Sequence, residues 1–187
     1  MFKKLLFFLF TYPLVTFSQL SDDQLAELDS LKGVAENAEH DTVRVQALLF
    51  SAFMVFNEDE EESIPYINQI DSICNHNLAK SLSDSETDYF IWAKIWTSNS
   101  TGLMLKNNGD FAGAIQSYTT GLKLAEKQND KYNEMISLFN IGIIYKDQKD
   151  PRKCQEYHRR MLKIAEEEKD VGMQAQALSY LGIAYQD

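Results

Sequence analysis

Disulfides cannot organise this chain: among its 187 residues only Cys74 and Cys154 carry thiols. Histidine is nearly as scarce. His40, His76 and His158 stand far apart, and Cys74-Asn75-His76 offers two metal-capable ligands with no second pair to complete a site. No glycine-rich phosphate loop and no nucleophile elbow is present. The residues therefore read as a non-enzyme with no catalytic, metal or cofactor set, and each histidine reads as a helix-end or surface residue. Basic clusters are missing as well. The 28 acidic residues outnumber the 18 basic ones for a net charge of −10, and phosphate binding needs gathered Lys and Arg, so nucleic acid is a poor partner. After residue 18 no stretch approaches the 18 apolar residues that a membrane helix needs.

The exception to this acidic, mixed composition is the first 18 residues. Lys3 and Lys4 precede an apolar run from Leu5 to Phe17, and Thr16-Phe17-Ser18 places small side chains at the third and first positions before a cut. Residues 1–18 are thus expected to be a signal peptide cleaved after Ser18, which sends the chain to a periplasmic or secreted location. The run is short of the roughly 20 residues that span a bilayer. Membrane contact enters only if the signal stays uncleaved or the chain continues beyond Asp187. No cysteine lies near the cut, so a lipid-anchored start is not expected.

Helical signals fill the remainder. Ser21-Asp22-Asp23-Gln24 and Ser83-Asp84-Ser85-Glu86 have capping-box form. The first opens a helix through Leu25, Leu28 and Leu31 to Asn37; the second opens a long helix to Asn107. Asp41 is expected to cap a helix reaching Phe56, and Ser63 to cap the next, with Pro65 at its start. The acidic run Glu58 to Glu62 has no glycine to fold it round a cation and reads as charge for that helix's positive end. Asp110 caps 111–128, Asp150 caps a helix with Pro151 in first position, and Asn129-Asp130 and Lys169-Asp170 mark the other turns. No segment alternates like a strand, so the expectation is all-α.

A fixed period links these helices. Gly102, Gly142 and Gly182 stand 40 residues apart, the fullest copies reading Leu138-x-x-Ile141-Gly142-x-x-Tyr145 and Leu178-x-x-Leu181-Gly182-x-x-Tyr185. Glycine is costly in a helix, so its recurrence marks places where two helices touch. Ala114 and Cys154, small residues 40 apart, lie on the second helix of their copies. The copy at Gly102 departs from the pattern at Ser98 and Thr101, where large apolar residues are usual. Upstream, Ala47, Phe50, Ser51 and Met54 facing Ser63, Ile67 and Ile70 form a degenerate hairpin. The longer spacing from Ser51 to Gly102 implies an added linker or a lengthened helix.

On these residues the chain resembles the tetratricopeptide-repeat family, in its bacterial subtype with hairpins of about 40 residues. The match is firm over 95–187 and weaker over 44–78. It implies a right-handed α-α superhelix of stacked hairpins, with N-terminal helices over 19–84 and repeats over 85–187. Cys74 and Cys154 would then lie two hairpins apart, too far to bridge, as small buried residues. The resemblance also implies that the first helix of each hairpin lines a concave groove. Its residues would be Trp96, Asn99, Leu103, Lys106, Phe139, Asn140, Ile143, Lys146, Ser179, Tyr180 and Ile183, with Asn140 placed to hold a peptide backbone. Of the Lys, Arg and Asn clamp with which some members grip a terminal carboxylate, only Asn140 is in place, so that mode is not expected. The function expected is an exported scaffold that binds a protein or peptide on the concave face. The alternative is the sensory segment of a membrane signalling protein of histidine-kinase or helix-turn-helix type. The apolar last helix is expected to act as an imperfect cap, to continue into further repeats, or to self-associate with a second copy.

Overall fold

The computed structural model describes residues 20–56 and 59–185; the expected signal segment and its expected cleavage site lie outside them. Among the described residues eight α-helices follow one another: α1 Asp22–Asn37, α2 Asp41–Phe56, α3 Ile64–Leu78, α4 Asp84–Asn107, α5 Phe111–Lys127, α6 Lys131–Asp147, α7 Pro151–Glu167 and α8 Val171–Ala184. A 3-10 turn, Glu61–Ser63, leads into α3, and there is no strand among the described residues. Each helix packs on the next, giving an all-α, solenoid-like stack.

The turns enforce this regularity. Between α4 and α5 the Gly109 N–H bonds to the Lys106 carbonyl and the Asp110 N–H to that of Leu105, the Schellman closure of a helix end. The Asp110 carboxylate then accepts the Gly113 N–H and opens the following helix. One aspartate thus ends one helix and begins the next. The same two devices recur at Asp130, Asp150 and Asp170, every 20 residues. Connections this short leave the chain no choice but to reverse. The residue before each aspartate has positive φ: Gly109, and then Asn129, Lys149 and Lys169, which bear side chains in a region that favours glycine.

Both capping boxes form, at Ser21/Gln24 and Ser83/Glu86. Two other start signals work differently. Asp41 is the first residue of α2, and its carboxylate accepts from Arg44 at 2.6 Å and from Asn77 of α3 at 2.7 Å, so it ties helices together. Ser63 donates its hydroxyl to the Glu60 carbonyl and makes no cap bond, because the 3-10 turn already supplies the first turn's hydrogen bonds. The extra spacing upstream of Gly102 is taken up by α4, which at 24 residues is the longest helix. In the weak N-terminal hairpin Ala47 and Ser51 are buried, whereas Phe50, expected to face α3, is 43% exposed because it lies on the far side of α2.

Alternate helices differ in their contacts. The even-numbered ones approach in series, α2 to α4 to α6 to α8, whereas the backbones of α3, α5 and α7 stay apart, α5 and α7 meeting through the long side chains of Glu126 and Arg160. The even helices therefore build one continuous face and the odd ones splay on the other. The core divides accordingly into an N-terminal cluster on α1 to α4 and a C-terminal one on α5 to α8, bridged by Ile91, Ile95 and Ala125.

A candidate binding face on the even helices

The repeat glycines are packing sockets. A Cβ added at Gly102 would lie 2.7 Å from the Tyr118 ring, and one at Gly142 would collide with the ring of His158. Each ring comes from the following helix, and the two ring positions are again 40 apart. Gly182 differs: no atom of the described residues lies within 4 Å of its notional Cβ. Leu138 of α6 is fully buried while its counterpart on α8, Leu178, is 56% exposed.

His158 corrects the sequence expectation of a helix-end or surface histidine. It is fully buried on α7. Its Nδ1 sits 2.8 Å from the Cys154 carbonyl and so carries the proton, which leaves Nε2 a bare acceptor with no partner among the described residues. Burial pushes its pKa below the usual imidazole value, and the charge on nearby Lys146 pushes the same way against the opposing Cys154 hydrogen bond. His40 and His76 are exposed, as expected. Two arginines follow His158 on α7. Arg160 reaches Glu126 of α5 at 3.0 Å, and Arg159 bonds Gln155 and the Tyr185 hydroxyl.

Above His158 the rings of two even helices converge. Tyr180 of α8 stacks on the imidazole at 4.9 Å and 6°, and Phe139 of α6 meets Tyr180 edge-on at 5.1 Å and 85°. Lys146 lies 5.6 Å over the Tyr180 ring with its ammonium 3.1 Å from Asp147. Phe139, Asn140, Ile143, Lys146 and Tyr180 are all half-buried, and Ser179 and Ile183 are exposed. The Asn140 amide makes no hydrogen bond among the described residues.

On α4 the expected groove residues divide. Trp96, Leu103 and Lys106 are half-buried, with Trp96 packed on the N-terminal core. Asn99 is not open groove. It is 9% exposed, and its Oδ1 accepts the Ser137 hydroxyl of α6 at 3.0 Å, so it serves as the polar joint between adjacent even helices. Sequence reading missed His158 as the floor beneath Tyr180, although its offset of 40 from Tyr118 was the available signal.

Both cysteines are buried and neither forms a disulfide among the described residues, and burial raises the Cys74 pKa to about 12, so that thiol is inert packing. No group of His, Cys, Asp or Glu among the described residues could hold a metal ion. In comparison with known proteins, no family model, no curated protein and no solved structure matches this chain.

Proposed function

We propose that this chain is an exported, non-enzymatic scaffold that binds an extended peptide or protein segment along its even-numbered helices, in the manner of the tetratricopeptide-repeat proteins it resembles. The observation that carries the reading is the group on α6 and α8: two crossed rings, Phe139 and Tyr180, beside the Lys146 ammonium and the unpaired Asn140 amide. Rigid aromatic surface held by a buried imidazole gives contact area at small entropic cost, and an amide offers a donor and an acceptor to a peptide backbone. Continuous contact from α2 to α8 gives that group a long neighbouring surface with Trp96, Leu103 and Lys106.

Panning random displayed peptides on the chain, then measuring fluorescence anisotropy, tests this. Selected peptides are expected to lose at least tenfold in affinity for a Phe139→Ala, Asn140→Ala variant whose circular dichroism is unchanged. Equal affinity for parent and variant refutes it.

A further inference from the structure

Leu138 and Ile141 of α6 are fully buried in the core shared with α5 and α7. Forty residues earlier α4 carries Ser98 and Thr101 in the same places. The aliphatic filling is gone, the backbones of α3 and α5 do not approach across the gap, and an open cleft of about 560 Å³ lies between them with α4 as its floor.

The lining is polar from all three helices. Ser98 and Thr101 of α4 face Ser117 and Thr120 of α5, and Asn68 and Asp71 come from α3. Lys94 donates to Asp71 Oδ1 at 2.9 Å, and the Asn75 amide donates to Asp71 Oδ2 at 2.9 Å. The charges in the cleft therefore cancel. A phosphate or carboxylate ligand would have to compete with Asp71 for the lone ammonium, and a cation with Lys94 for the lone carboxylate. Ile67 is the only aliphatic side chain without a polar group in the lining, and no aromatic residue joins it, which argues against a flat apolar ligand. What remains are hydroxyls and amides that each donate and accept, with room in the size range of small-molecule sites.

We propose that the cleft between α3 and α5 binds a neutral polyhydroxylated ligand of mono- to disaccharide size. Vicinal hydroxyls bridge the Asp71 and Lys94 pair, and the serine and threonine hydroxyls meet the remaining groups. The site is independent of the peptide face. At 100° per residue, Lys94, Thr97, Ser98 and Thr101 lie on the opposite side of α4 from Trp96, Asn99, Leu103 and Lys106.

The test is amide chemical-shift mapping on the ¹⁵N-labelled chain with sorbitol, trehalose, maltose and sodium phosphate as probes. At least one of the three polyols is expected to give saturable shifts confined to the cleft-lining parts of α3, α4 and α5, and phosphate to give none there. The Ser98→Leu, Thr101→Ile variant rebuilds the filling of α6 and is expected to melt no lower than the parent while binding the polyol at least tenfold more weakly. Should that variant fold poorly, Ser117→Ala is expected to weaken binding severalfold with an unchanged melting temperature. No saturable shift from any polyol, matching shifts from phosphate, or shifts that persist in the filled variant or in Ser117→Ala at full affinity, would overturn the assignment.

Discussion

The α4–α5 and α6–α7 hairpins share one frame and differ in what fills it. Each closes on an aspartate that ends one helix and caps the next, and each seats a ring from its second helix on a glycine of its first. Within that frame one hairpin has Tyr118 as its ring, Gly109 at its turn, and Ser98 and Thr101 beneath an open cleft. The other has His158, Lys149, and the buried pair Leu138 and Ile141. Turn chemistry and glycine sockets thus set where the helices lie, which leaves the interior positions free to become a polar cleft in one place and a titratable floor in another.

Breaking the sockets gives the largest expected effect. Gly102→Leu and Gly142→Leu should each cost about 3 kcal/mol in urea unfolding, because ring atoms occupy the space the new side chain needs. Gly182→Ala meets open space and should instead gain about 0.5 kcal/mol or more from helix propensity. Equal losses at all three glycines would remove the socket as the basis of the frame.

The joint between the two hairpins comes next. Asn99→Ala leaves the buried Ser137 hydroxyl without its acceptor and should cost about 1–2 kcal/mol by the same measurement. The turns differ by about 1 kcal/mol in the opposite sense. Lys149→Gly should stabilise by that amount, since Lys149 has φ of 58°, and Gly109→Ala should destabilise by a like amount.

The rings can be separated by pH. Because the folded-state pKa of His158 lies below its ordinary value of 6.5, the unfolded chain takes up a proton first as pH falls through that value, and stability declines from there downward. Melting temperatures recorded from pH 7.5 to 5 should therefore fall more steeply for the parent than for His158→Phe; parallel curves would show that the imidazole is not held neutral. The smallest effect belongs to the ion pair of Arg160 with Glu126, both ends of which are largely solvated. Arg160→Ala should change stability by no more than about 0.5 kcal/mol.

The helices and their order were legible because their signals are local. Ser21/Gln24, Ser83/Glu86 and the four aspartate caps each act within three residues of themselves, and the 40-residue period places the glycines. Burial at single polar positions was not legible in the same way, because it depends on how a neighbouring helix lies. Asn99 meets its partner 38 residues later, Asp41 finds Asn77 36 residues on, and His158 is covered by Tyr180 from the next helix. Phe50 looked like core by its type, yet the α2 helix turns it outward. Ser98 and Thr101 stood out in the sequence as breaks in the pattern, but only the separation of α3 from α5 reveals a cleft there.

The most direct measurement of the binding reading is where a selected peptide lands. Amide shifts of the ¹⁵N-labelled chain on adding that peptide are expected to cluster on the even helices, around Leu103, Phe139, Asn140, Ile143 and Tyr180, with α3, α5 and α7 unperturbed on their outer sides. A footprint centred on the odd-numbered helices would contradict it.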